Sequence, residues 1–172
     1  MLRKYLLSYK TATACKSSKA IRNTTNFEDS LNVGVLFTYS DPTNFQMVNR
    51  MIEKLEAGGK KVESMTYIVK MGENESYDFS FFNKKDMDFW ANWKKDEVQK
   101  FITQPFDYLL NLDLNTNTAT QNILALSQAK CRVGRYEEGK NEYFELMIDY
   151  KENEYEAFID QVFHYIKNMR NG

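Results

Sequence analysis

Histidine and cysteine are nearly missing from this sequence, and each shortage removes a class of chemistry. The chain has one histidine, His164, and two cysteines, Cys15 and Cys131, in 172 residues. The cysteines stand too far apart for a C-x-x-C redox pair or a zinc knuckle built from neighbours, so two reduced thiols of a cytoplasmic protein are expected. No H-E-x-x-H motif and no cluster of His, Cys, Asp and Glu supplies the three or four ligands a metal needs, and no cofactor motif is present. His164 falls on the polar border of a C-terminal helical pattern and is expected at the surface.

Glycine is scarce as well, with seven in the chain. Neither G-x-G-x-x-G nor G-x-x-x-x-G-K-S/T occurs, which disfavours nicotinamide dinucleotide and P-loop chemistry. Long apolar runs are also missing: nothing approaches the ~20 residues of a membrane-spanning helix. The opening stretch is interrupted by Ser8, Lys10 and Thr11 before it reaches the ~7 to 15 apolar residues of a signal-peptide core. A cytoplasmic location follows as the expectation.

What the chain does have is a core. Hydrophobic residues make up 42% and aromatics 15%, a composition that disordered chains lack. A compact chain of this size buries roughly 70% of its extended surface without metal or disulfide support. The net charge of −1 hides a separation. Residues 1–22 carry Arg3, Lys4, Lys10, Lys16, Lys19 and Arg22 and no acid, whereas 137–160 is strongly acidic. Such a separation either steers a partner or is internal and solvated.

The periodicities predict an N-terminal amphipathic helix with Leu2, Tyr5, Leu6 and Tyr9 on its apolar face, followed by a polar connection that lets it stand apart. Residues 1–26 are assigned to this helix and connection, and 27–172 to a single α/β domain. The run 33–39 reads as a central strand buried on both faces. Ser40-Asp41-Pro42-Thr43 then opens a helix that stops at Gly58-Gly59, and 61–69 returns as a strand, so strand, helix and strand form a right-handed parallel unit. A polar loop is expected over 71–76, a third strand over 77–82, and a ring-anchored loop over 83–93. Helices follow over 94–103, from about 118, and over 154–169, with strands at 106–114, 129–136 and 145–149. The resulting class is a three-layer Rossmann-like α/β domain with a largely parallel sheet.

Ligands of open α/β sheets bind beyond the C-terminal ends of the strands. Two loops satisfy that position, and each opens a helix whose free N–H groups favour an anion. They nominate Ser40, Asp41, Thr43, Asp113, Asn115 and Thr116 as ligand-binding residues for an anionic small molecule, with Asp113 as the leading functional acid. The same residue types also cap helices with no ligand present. Lys4, Lys10, Arg132 and Arg135 are nominated for contact with a protein or RNA, and Lys84 and Lys85 extend that basic set. Cys131 lies between Lys130 and Arg132, but alternation along a strand turns both bases away from it, so it reads as an inert buried thiol.

Gly34-Val35-Leu36-Phe37, Phe82-Asn83-Lys84-Lys85-Asp86, Phe106 to Asp113 and Leu126 to Gly134 together resemble a family of uncharacterised proteins found mainly in Bacteroidota. The order Phe106-Asp107-Tyr108, Asp113 and Ala129 to Gly134 is more weakly similar to the N-terminal Rossmann-like half of bacterial lipopolysaccharide heptosyltransferases. That resemblance implies one half of a fold that encloses a nucleotide sugar, without the half that holds most of the nucleotide. Two functions therefore compete: a non-enzymatic module that binds protein or RNA through the basic helix, and a small-molecule or nucleotide-sugar domain that uses the strand-end loops. Peripheral membrane attachment through Leu2, Leu6 and nearby lysines is a third.

Overall fold

A computed structural model describes residues 2–72 and 76–169. Strand β1 (Asn32–Tyr39) runs through the middle of the molecule with Val33 to Phe37 buried on both faces. Helix α2 (Pro42–Ala57) follows at once, because the Asp41 carboxylate accepts from the Asn44 N–H at 3.0 Å and Pro42 fits the first turn. Its stop is Gly59, whose φ of 81° suits glycine. Strand β2 (Lys61–Ile68) then pairs parallel to β1 over its whole length.

The remaining elements are β3 (Phe81–Phe82), α3 (Asp96–Thr103), β4 (Tyr108–Asn111), α4 (Thr118–Leu126), β5 (Cys131–Arg135), β6 (Leu146–Ile148) and α5 (Tyr155–Asn168). The N-terminal helix α1 spans Leu2–Ser17. All six strands are parallel, in the order β3-β2-β1-β4-β5-β6. One face packs Phe37, Tyr108 and Val133 against α2 and α5. The other packs Leu36, Leu109 and Phe82 against α1, α3 and α4. Gly34 is required by this second face, where a Cβ would lie 2.8 Å from side-chain carbons of both Phe106 and Leu109.

Three expectations are corrected. The third strand is two residues long instead of six. Tyr77 and Phe79 leave the ladder and join Tyr39 and Phe45 in a ring cluster, with the Phe45 and Phe79 centroids 4.3 Å apart. The loop expected over 71–76 lies partly outside the described residues. Helix α1 is present, but its buried face is a different one. Leu2, Tyr5 and Tyr9 are 70, 69 and 71% exposed, whereas Leu7 and Thr11 are buried. The polar pair decides this: Asn122 of α4 donates to the Thr11 hydroxyl at 2.8 Å, and that hydroxyl donates to the Leu7 carbonyl at 2.7 Å. Small residues at 11, 14 and 15 bring α1 close to α4; of the expected stripe Leu2, Tyr5 and Tyr9 are turned to solvent, and Leu6 packs partly buried against the core.

The connection after α1 also fails to stand apart. The Asn23 N–H donates to the Lys130 carbonyl at 3.0 Å, and the Arg22 guanidinium binds the Ser127 carbonyl at 3.1 Å and the Ala129 carbonyl. Between β3 and α3, the turn Met87 to Trp93 holds Trp93 inside, with its indole N–H on Asn122 at 2.8 Å. The Asp88 carboxylate accepts from the Asn92 backbone and side chain and is held down to about 2 by those bonds. Phe89 and Trp90 project from that turn into solvent.

A candidate ligand crevice at the reversal of strand order

Strand order reverses between β1 and β4, where α2 leaves toward one face and α4 toward the other. The loops that follow these two strands diverge and leave a crevice. Asp113 fastens their bases together: one carboxylate oxygen accepts from the Thr38 N–H at 2.7 Å, the other from the Thr120 hydroxyl at 2.6 Å. The Thr38 hydroxyl in turn accepts from the Asn117 carboxamide at 2.9 Å. Burial pushes the Asp113 carboxyl above its ordinary value, and the Thr120 and Thr38 hydrogen bonds only partly oppose it. By its accessible surface the residue as a whole is half-buried. Its visible work is to hold the loops.

Above this fastening the crevice has a volume of about 630 Å³. Thr38, Ser40, Asn44, Asn115, Thr116 and Asn117 face Asn153, Glu154 and Tyr155 from the start of α5 across it. Ser40 is oriented by the Asn44 carboxamide at 2.6 Å and itself donates to Asp41 at 3.1 Å. Asp41 holds the first turn of α2, and the Asn44 N–H, above all, keeps its carboxyl below the usual range. Tyr155 is pushed the other way by burial, with the Asp113 and Asp41 charges adding to it. The wall contains Asp113, Glu154 and Glu156 and no basic residue.

Ser40, Asp113, Asn115 and Thr116 thus line one crevice, Asp41 stands behind it as the α2 cap, and Thr43 is exposed outside the lining. The charge differs from what the helix starts suggest. Asp41 already occupies the N-terminal N–H groups of α2, and neutral Asn117 does the same for α4 through the Ala119 N–H at 2.9 Å. Sequence reasoning missed Asn44, Asn153 and Tyr155. Asn44 sits inside a helix pattern, and the other two arrive from a distant segment, so neither has a local signal.

A second cavity of about 410 Å³ adjoins the crevice across the Asp113 to Thr116 loop. It carries the buried carboxamides of Asn111 and Gln121 and, at its mouth, Arg135 and Lys140. The Asn111 side-chain carbonyl oxygen is buried without a hydrogen-bond partner among the described residues.

The basic set nominated for a partner is not brought together. Arg132 is corrected outright: it is 5% exposed. Its guanidinium binds both Glu145 carboxylate oxygens, at 2.7 and 3.0 Å, and the carbonyls of Glu142 and Leu124. On the α4 face of β5 these partners hold Arg132 inside. Arg135 donates to the carbonyls of Tyr150 and Leu114 at 2.8 and 2.6 Å. Lys10 bonds Asn92, and Lys4 is exposed. Cys131 points to the opposite face from Arg132, and burial pushes its thiol up to about 12. His164 is exposed. Among the described residues no group of three or more His, Cys, Asp and Glu is arranged to hold a metal, and no helix is long and apolar enough to cross a membrane.

Six parallel strands in this order, with helices on both faces and a crevice where the order reverses, define a Rossmann-like α/β domain. The chain belongs to DUF6913, a family of unknown function that matches residues 3–169. No curated protein and no solved structure matches it.

Proposed function

We propose that this domain binds a small polyhydroxylated ligand, the sugar of a nucleoside-diphosphate sugar, in the crevice between the β1 and β4 loops. What carries the reading is the crevice wall, which offers hydroxyls, carboxamides and carboxylates and has no cation. That set suits hydroxyl groups, each a donor and an acceptor, and repels a bare phosphate. Across the Asp113 to Thr116 loop, Arg135 and Lys140 line the adjoining cavity together with Glu137, and this is where the ligand's anionic part would find positive charge. The weak likeness to one half of a sugar-nucleotide transferase agrees with this chemistry and rests on sequence pattern alone.

Calorimetric titration with a panel of nucleoside-diphosphate sugars, each run against its free nucleotide, tests the reading. At least one sugar nucleotide is expected to bind more tightly than its nucleotide. Asn44→Ala combined with Asn115→Ala is expected to weaken it about tenfold, the scale of one or two hydrogen bonds. Equal affinity for nucleotide and sugar nucleotide throughout the panel, or no effect of the double substitution, would sink the proposal.

A further inference from the structure

On the α1 side of the Thr116 to Ala119 turn lies another cavity, of about 390 Å³, with the opposite chemistry. Leu7, Met87, Trp93 and Tyr67 form its apolar walls. Arg3, Lys4 and Lys84 stand around it, and its lining contains no carboxylate. Among the described residues none of these three cations pairs with an acid. Three like charges beside an apolar wall repel one another, and an anion between them relieves that repulsion.

A second observation points the same way. Tyr67 is a largely buried residue of the cavity wall, and its hydroxyl hydrogen-bonds to no described residue, which leaves it free for a ligand. Burial raises its pKa, so it remains a neutral donor. The cavity therefore combines an apolar surface, a hydroxyl in its wall that no described residue uses and a cationic rim. A purely hydrophilic anion leaves the walls unsatisfied, and a purely apolar molecule leaves the rim unsatisfied.

We propose that this cavity binds an amphipathic anion, with its charged head at Arg3, Lys4 and Lys84 and its apolar body against Leu7, Met87 and Trp93. The volume falls at the small end of ligand pockets, which suits a body of roughly ten carbons. This site is separate from the sugar crevice, and its ligand does not depend on that reading.

The two tryptophans make the test direct. Trp93 lines the cavity and Trp90 is exposed on the neighbouring turn, so a Trp90→Phe protein carries one indole, at the site. Its fluorescence is followed while decanoate is added below its micellar concentration, with decanamide as the neutral control. Decanoate is expected to give a saturable change, at least about tenfold tighter than decanamide and weakened by salt. Tyr67→Phe is expected to weaken it about tenfold, as loss of a hydrogen bond to a charged group does. Arg3→Glu with Lys84→Glu, both at exposed positions, is expected to abolish saturation while the circular-dichroism melt is unchanged. Absence of saturation, equal affinity for decanamide, or an affinity indifferent to the charge reversals overturns the proposal.

Discussion

Asp113 joins the two strand-end loops through a single carboxylate. Its position at the end of a strand and before a helix was legible from the apolar run and the polar stretch after it. Its surroundings were not, because Thr38 comes from 75 residues upstream and no local pattern announces it. The carboxylate is enclosed by donors, and burial raises its pKa, so in the charged form it is a cost to folding. The sign is fixed by that direction. Stability associated with Asp113 is fully present below the ordinary carboxylate value and is lost as pH rises through the raised one. Asp113→Asn keeps an acceptor for the Thr38 N–H and gives Thr120 a donor, whose own hydroxyl has the Asn117 carbonyl at 3.1 Å. The substitution is expected to leave the neutral-pH melting temperature unchanged or higher and to flatten its decline above pH ~4. A fall of several degrees at neutral pH would show that the charge itself holds the loops.

Helix α1 is the element where periodicity misled. Apolar residues at 2, 5, 6 and 9 form a proper stripe, and only tertiary structure shows that Leu7, Thr11, Ala14 and Cys15 compete successfully for the inside. A buried threonine with two hydrogen bonds outweighs two tyrosines whose bulk would hold α1 away from α4. Elsewhere the same kind of reading worked. β1, α2 and β2 were legible because an unbroken apolar run, an Asp-Pro start and a Gly-Gly stop are all local signals. The 77–82 aromatics were mistaken for a strand because a ring cluster and a ladder draw on the same residues. The register of α1 can be checked by chemical denaturation. Leu7→Ala is expected to cost about 2–3 kcal/mol, as truncation of a buried leucine does, and Tyr5→Ser or Tyr9→Ser less than about 0.5 kcal/mol. The reverse ranking would restore the face predicted from sequence.

Across the whole molecule, β4 is bracketed by two aspartates that titrate in opposite senses. Asp107, just before the strand, accepts from the Leu31 and Asn32 N–H groups at 2.8 and 2.9 Å and from Lys130 at 2.7 Å. Burial alone would raise its pKa, but the Lys130 bond and the two N–H donors outweigh it and leave the carboxyl below its usual value. Its contribution is therefore present above the ordinary carboxylate value and lost as pH falls through the depressed one. Asp107→Ala is expected to cost about 2–3 kcal/mol at neutral pH, the scale of charge-assisted hydrogen bonds left without an acceptor, with the deficit shrinking below about pH 3. Urea midpoints of both proteins across that range measure it, and a pH-independent gap would assign the loss to packing alone.

The two ends of the sheet bear on crowding. β3 contributes two residues and β6 three, so the outermost ladders end almost as soon as they begin. β3 pairs only with Thr66 and Tyr67 of β2, so Lys61 to Met65 of that eight-residue strand have no described strand beside them on this margin. That stretch is where a neighbouring chain has room to add a strand at high concentration, and the exposed charges of Lys61 and Glu63 within it work against such polymerisation.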